Sequence, residues 1–467
     1  MVPMLPSRLR DRDRLLPSEP RTRGVARALY ERVAEAPIIS PHGHVPIEWL
    51  AEDVPFSDPA SLFIAYDHYV TRLLHAAGAD LADLGVAGHA VDPRAAWRTL
   101  AENWHVFAGT ASGYWLEEEL DSVFGINAEL SPESADAIYD DVAAKLTLPE
   151  FRPRALFERF GIEVLATTDD PLDDLNGHAR AQFGLPGRVL PTFRPDRYLD
   201  PDAAGFAENV ERLLSATGEA ASFHGYLTAL EGRREHFRAH GAVSADHGVE
   251  EPFTLDLESS DAESLFQTIL AGSGTAEERR AFRGHMLLQM ARMSVDDGLV
   301  MTVHAGVLRN HSTPTFDRFG ADTGHDIPVR TDFVRGLRPL LQRFGLAKDF
   351  HLVLFAVDES VYSRELAPMA GFYPSVFIGA PWWFLDAPDA ITRFRAATTE
   401  TAGFSRGSGF IDDTRAFLSI PARHDTARRA DAAFLARLVT EGRLTMAAAE
   451  RIADDIVGPQ PKRVFKL

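Results

Sequence analysis

Short apolar runs recur along the chain, separated by longer stretches with helical spacing. The runs cover 37–40, 163–168, 188–193, 242–245 (the weakest), 299–303, 351–357, 375–379 and 409–411. Between them, 203–217, 275–293 and 330–344 have the apolar spacing of amphipathic helices. Strands alternating with helices predict a parallel sheet with right-handed crossovers. Eight such strands predict an α/β fold of the closed (β/α)8 barrel (TIM barrel) type. Nearly every run leads into polar residues, among them His42-Gly43-His44, Asp246-His247, His304 and Asp412-Asp413. In a barrel, that end of the sheet is where sites are built.

The chain exceeds a typical barrel of about 250 residues. It is read as a single barrel domain over 1–467, with a helical insertion subdomain over 48–154 after the first strand. Within the insertion, 59–77 and 131–146 have helical apolar spacing. A smaller insertion, 249–298, follows the fourth strand, and helices over 426–456 are expected on the barrel exterior.

Composition narrows the function. An apolar fraction of 45% and a charged fraction of 25% are those of an ordinary globular protein. The net charge of −20 argues against nucleic acid, which needs a basic face. It leaves room for a small anionic substrate, because a few arginines can reverse the field locally. There is no cysteine, so disulfides and thiolate sites are excluded. The first 23 residues lack the apolar core of a secretory leader, and no apolar stretch is long enough for a membrane span. A cytoplasmic location is expected.

His42 and His44 are alternate residues at a strand end, so both imidazoles can face one point. Neutral imidazole is a common ligand for divalent metals. Two ordinary surface histidines is the competing reading. Asp413 and Arg415 repeat the spacing at the last strand. The carboxylate can complete a three-ligand site and act as a base, while the arginine can stabilise charge on a substrate oxygen. The alternative is a surface pair worth little. His304 is open between fourth metal ligand, proton carrier and core histidine. Asp246 and His247 either contact substrate or cap a turn. Tyr69, in the insertion, either donates a proton over the barrel mouth or packs an interface. Arg194 suits bidentate recognition of a carboxylate. Trp382 and Trp383 either stack on a sugar or close the barrel end.

Taken in order, these pieces resemble one family. They are His42-Gly43-His44, Asp67-His68-Tyr69 with Arg72, and Thr168-Asp169-Asp170-Pro171. Then come Pro191-Thr192-Phe193-Arg194-Pro195-Asp196, Ala245-Asp246-His247-Gly248, and His304-Ala305-Gly306 with Arg309-Asn310. Trp382-Trp383-Phe384-Leu385-Asp386 and the run from Asp413 to Ser419 complete the set. The chain resembles the uronate (glucuronate) isomerases of the amidohydrolase superfamily. The resemblance departs at Thr302, where glutamine is expected, at His311-Ser312 and at Asp358-Glu359.

The resemblance implies interconversion of D-glucuronate with D-fructuronate and of D-galacturonate with D-tagaturonate. It implies a divalent metal, commonly zinc, held by His42, His44 and Asp413, with His304 as a further candidate, and no organic cofactor. Asp413, Arg415, Tyr69 and His68 are the expected catalytic residues. Arg194, Asp246, His247, Arg309 and Trp382 are expected to bind the sugar. The expected partner is a small uronate, without nucleic acid or membrane, and a homo-oligomer is the expected assembly. A mononuclear metal-dependent hydrolase is the alternative. The binuclear members of that superfamily usually carry a bridging carboxylated lysine, and none of Lys145, Lys348, Lys462 and Lys466 lies at a predicted strand end. A non-catalytic sugar-acid binder would leave the His/Asp/Arg cluster without a purpose.

Overall fold

The structure, a computed structural model, describes residues 11–467. Residues 1–10, the start of the segment read as lacking a leader, lie outside the described residues. β1 (Ile38–Ser40), β2 (Ile162–Ala166) and β3 (Arg188–Leu190) pair in parallel in that order. β4 (Ser244–Val249) and β5 (Val300–Ala305) follow; then β6 (Val307–Leu308) and β7 (Ile327–Pro328) form a short antiparallel pair. β8 (Leu352–Ala356) and β9 (Val376–Ile378) continue the larger sheet, whose order is β4-β5-β8-β9.

Three contacts turn these sheets into a ring. A bridge between Phe193 and Ala245 joins the β3 side to β4, and one between Ile378 and Gly407 joins β9 to the segment that follows. The His44 N–H donates to the Thr414 carbonyl at 2.9 Å and closes the circle on the β1 side. The eighth predicted run, 409–411, therefore lies at its predicted place but is not a strand. Gly409 has φ +81°, and a side chain there would meet Pro461, so extended pairing breaks. The third run shortens to Arg188–Leu190 because Pro191 has no N–H to give the ladder. The weak fourth run is longer than read and carries Asp246 and His247 inside the strand.

Alternation along the strands sorts side chains into two layers. Met301, Val303, Leu352 and Leu354 point outward and pack with Met286, Met290 and Leu340 of the surrounding helices. Val300, Val353, Phe355 and Phe377 belong to a separate inner cluster. Each fully buried side chain of this size contributes about 1.5–3 kcal/mol of transfer free energy. At the N-terminal ends of the strands the chain terminus acts as a plug. His351 Nδ1 lies 2.7 Å from the Val464 carbonyl, and Lys466 Nζ donates to the carbonyls of Gly298 and Asp349.

Between β1 and β2 the chain is helical, including His68–Ala76, Pro93–Glu102, Ala111–Glu118 and Ala135–Leu146. Their apolar faces, with Trp97, Leu116 and Val142, form one cluster with Leu165 and Val189 of the barrel wall. Residues 249–298 contain two helices. Ala276–Asp297, started by a Thr275/Glu278 capping box, packs on β5 as the crossover from β4, so only Ser259–Leu270 is extra to a barrel repeat. No helix among the described residues is long and apolar enough to cross a membrane.

Candidate active site at the C-terminal ends of the strands

His42 and His44 leave β1 with their rings edge to face, centroids 5.3 Å apart. Asp413 stands opposite. Its φ of +44° is a left-handed conformation that Asp tolerates better than most residues, and it aims the carboxylate into the barrel mouth. Asp413 Oδ1 lies 3.3 Å from His42 Nε2 and 3.1 Å from His44 Nε2. From β5, His304 brings Nε2 to 3.9 Å from Asp413 Oδ2. Behind them, buried Asp246 on β4 accepts from His304 Nδ1 at 2.6 Å and from the Thr302 hydroxyl at 2.6 Å. Thr302, where the sequence departs from the family pattern, thus serves to hold Asp246.

Burial works against charge throughout this cluster, and the neighbours decide the outcome. Burial alone would lower His42, but Asp246 and Asp413 outweigh it and hold the imidazole above its ordinary value. For His44, burial wins over Asp413 and the ring falls to about 4. Burial would raise Asp413, yet His42 and His44 keep it well below the usual carboxylate range. Asp246 is likewise depressed, against its burial, by His304, His42 and Arg194.

The donor set fits a divalent metal ion. Ligand atoms of His42, His304 and Asp413 all lie within 4.8 Å of one another. His42 Nδ1 and Nε2, His304 Nε2 and Asp413 Oδ1 are buried without a hydrogen-bond partner. His304 gives its other nitrogen to Asp246, the usual outer partner of a metal-binding histidine. His304 therefore belongs in the cluster where the sequence left three roles open, while His44 stands beside it, in reach of Asp413.

The mouth is a pocket of about 460 Å³ lined by His44, Arg194, Arg309, Trp382, Asp413 and Arg415, with His68 and Tyr69 from the insertion. Asp67 caps the helix His68–Ala76 by accepting from the Tyr69 N–H at 2.8 Å, which fixes the entry angle of both rings. Burial, then Arg415, drives His68 down to about 3, and burial raises the Tyr69 phenol above its usual value. Beneath Tyr69, fully buried Arg423 lies 4.9 Å from its ring centre, 3.7 Å from that of Trp115, and donates to Asp386 at 2.8 Å. Arg309 stacks over Trp383 at 4.7 Å, and the Trp382 ring is edge-on to His304 at 4.6 Å.

Two sequence expectations are corrected. His247 was expected on the substrate; it points to the outer face of β4, its Nδ1 2.9 Å from the Thr302 carbonyl, and lines a separate cavity behind the strands. Neighbouring strand residues face opposite ways, so only one of Asp246 and His247 can point inward. Asp246 does, but it is fully buried behind His42, His304 and Arg194 and does not line the pocket. Arg194 reaches the pocket already braced, with NH1 3.2 Å from Asp246 and Nε 2.7 Å from Asp196. Sequence reasoning missed Asp322, Arg423 and Thr168 as site residues. Asp322 and Arg423 lie outside strand ends, where position carries no signal.

Barrel and cluster together define a (β/α)8 enzyme with a buried His/Asp site able to hold a metal and an arginine-lined pocket suited to an anion. The chain belongs to the glucuronate isomerase family, whose pattern matches residues 20–465. It is 54% identical over 460 residues to the uronate isomerase of Corynebacterium efficiens, covering 97% of this chain and 98% of that one. It superposes on the crystal structure of glucuronate isomerase from Caulobacter crescentus with a TM-score of 0.95 at 46% identity, covering 97% and 96% of the two chains. The Thermotoga maritima uronate isomerase structure gives 0.91 at 28% identity, covering 97% and 99%.

Proposed function

We propose that this protein interconverts D-glucuronate with D-fructuronate and D-galacturonate with D-tagaturonate. The observation that carries the reading is Asp413, a carboxylate kept ionised by His42 and His44 and facing the same pocket as Arg194, Arg415 and Tyr69. The open-chain aldose binds with its carboxylate on Arg194. Asp413 takes the proton from C2 and returns it at C1, passing through an enediolate. Arg415 lies on the mouth side of Asp413 and stabilises the developing oxyanion. The Tyr69 phenol gives its proton to O1 and the resulting phenolate takes the proton from O2, so Tyr69 ends as it began; His68, neutral near pH 7, lines the pocket beside it. A divalent ion, zinc in our reading, would be held by His42, His304 and Asp413, with His44 alongside, and would polarise a substrate oxygen.

The hydrolase alternative is disfavoured by the family match. Lys466 and Lys462 lie on the plug side of the barrel or on its surface, bound to the Gly298 and Asp349 carbonyls and to Glu163. The deciding experiment is to incubate the purified, metal-replete protein with D-glucuronate and, separately, D-galacturonate and follow ketouronate formation. Fructuronate or tagaturonate is the expected product; release of an acid or amine from an ester or amide, with no ketouronate, would overturn the assignment.

A further inference from the structure

The pocket holds a carboxylate for which the reaction has no task. Asp322, on the segment between β6 and β7, lies with Oδ2 3.4 Å from Arg415 NH2 and Oδ1 3.7 Å from Arg309 NH1. Both contacts are single and long; a committed arginine–carboxylate pair closes to about 2.7–2.9 Å. Arg309 has a nearer partner in Asp326 at 3.1 Å, and Arg194 is braced by Asp196 and Asp246. Among the described residues, Asp322 is the one ion-pair partner of Arg415. An acidic side chain therefore sits loosely between two guanidiniums that face the substrate space.

The surroundings let it leave. The Asp322 side chain is 49% exposed. It borders the central pocket and a second cavity of about 630 Å³, which also touches His68 and Arg415. Its backbone is left-handed, at φ +61°. Gly320 and Gly324 bracket it, at φ +77° and +93°. Gly320, with ψ −163°, occupies a region open essentially to glycine alone. Two positive-φ glycines four apart can act as hinges for the short segment between them.

We propose that Asp322 is an internal competitor: its carboxylate fills an oxyanion seat between Arg309 and Arg415, and an incoming sugar acid whose carboxylate is held by Arg194 displaces it with the oxygens of its other end as the Gly320–Gly324 segment swings toward the second cavity. Arg309 and Arg415 thus remain neutralised until a sugar acid of the right reach arrives. The Asp322 carboxylate stays charged: partial desolvation at the pocket edge would raise it, but Arg415 and Arg309 outweigh that and lower it to about 2. The inference deepens the reading of this pocket as a uronate site and rests on it.

The test compares wild type with the isosteric variant Asp322→Asn, and with Asp322→Ser should Asn fold poorly. Titration with D-gluconate, a sugar acid with no aldehyde to isomerise, is followed calorimetrically at low ionic strength. Affinity is expected to rise at least threefold in the variant, and KM for D-glucuronate to fall by a similar factor. Charge removal alone would also tighten binding, so hydrogen exchange is measured in wild type. Gluconate should speed exchange at the His311 amide, whose N–H donates to the His325 carbonyl at the foot of the segment. Unchanged or weaker gluconate binding in the variant, or unchanged exchange in wild type, overturns displacement. Should wild type form no ketouronate, the function reading fails, while the gluconate comparison still decides the role of Asp322.

Discussion

Asp246 Oδ1 accepts a hydrogen bond from His304 Nδ1 at 2.6 Å, inside a barrel that exposes neither residue to solvent. That bond places the His304 proton on Nδ1 and leaves Nε2 free toward Asp413. Asp246 also lies 3.8 Å from His42 and 3.2 Å from Arg194, so one carboxylate orients both histidines of the cluster and the arginine beside them.

Removing that charge should loosen the metal without touching a ligand. Asp246→Asn is expected to weaken zinc binding about 10–100-fold, the usual cost of losing an outer partner. Competition against a chromophoric chelator measures it. An unchanged zinc constant would remove Asp246 from the metal's support.

Asp413→Asn should cut turnover on D-glucuronate about 10³-fold, within the range general-base catalysis supplies. Circular dichroism should show the fold unchanged. Near-normal turnover in the folded variant would place the base elsewhere.

His247 makes the opposite prediction. Because it faces away from the pocket, His247→Gln should leave kcat/KM within about threefold of wild type. It should lower stability by about 1–3 kcal/mol through the lost contact to the Thr302 carbonyl. A collapse of kcat/KM with intact stability would contradict the outward placement.

A buried Asp at the end of the β2 run supplies a pH signature. Burial raises Asp169 to about 7, despite its bonds to the Thr167 hydroxyl and Thr192 N–H. Between pH 4 and 7 the unfolded chain has released this proton and the folded chain still holds it. Asp169 therefore costs stability progressively as pH rises through that window, by at most about 1.4 kcal/mol per pH unit. Its neighbour His178, lowered to about 4 by burial, acts in the reverse sense up to its ordinary value and is common to both proteins. The melting temperature of Asp169→Asn should gain on wild type steadily from pH 4 to pH 7. A pH-independent difference would refute it.

Arg423 and Asp386 form a fully buried ion pair. Arg423→Met should destabilise by about 3–5 kcal/mol, because it strands the Asp386 carboxylate away from water. The double variant Arg423→Met/Asp386→Leu should recover much of that loss in denaturant melts. No recovery would mean that the arginine acts through Tyr69 and Trp115 alone.

The barrel was legible because six of its strands grow from apolar runs and because polar residues collect at one end of such runs. His42, His44, Asp413, Arg415 and the Asp67–Tyr69 helix start carried their own local spacing. The opposed directions of Asp246 and His247 were also readable, from strand alternation alone, once both were placed inside β4.

Local pattern thus determined which residues can face one point: two histidines at alternate positions, an aspartate two before an arginine, a capped helix start. Tertiary structure alone decided which of them meet. Asp413 reaches His42 only because the ring closes through His44 and Thr414. His304 joins the cluster only because β5 lies beside β4 in a register that pairs Asp246 with Thr302. Asp322 enters the pocket only because a loop beyond β5 folds back over it. Each is a contact between distant parts of the chain, whose geometry depends on packing and register that no local spacing records.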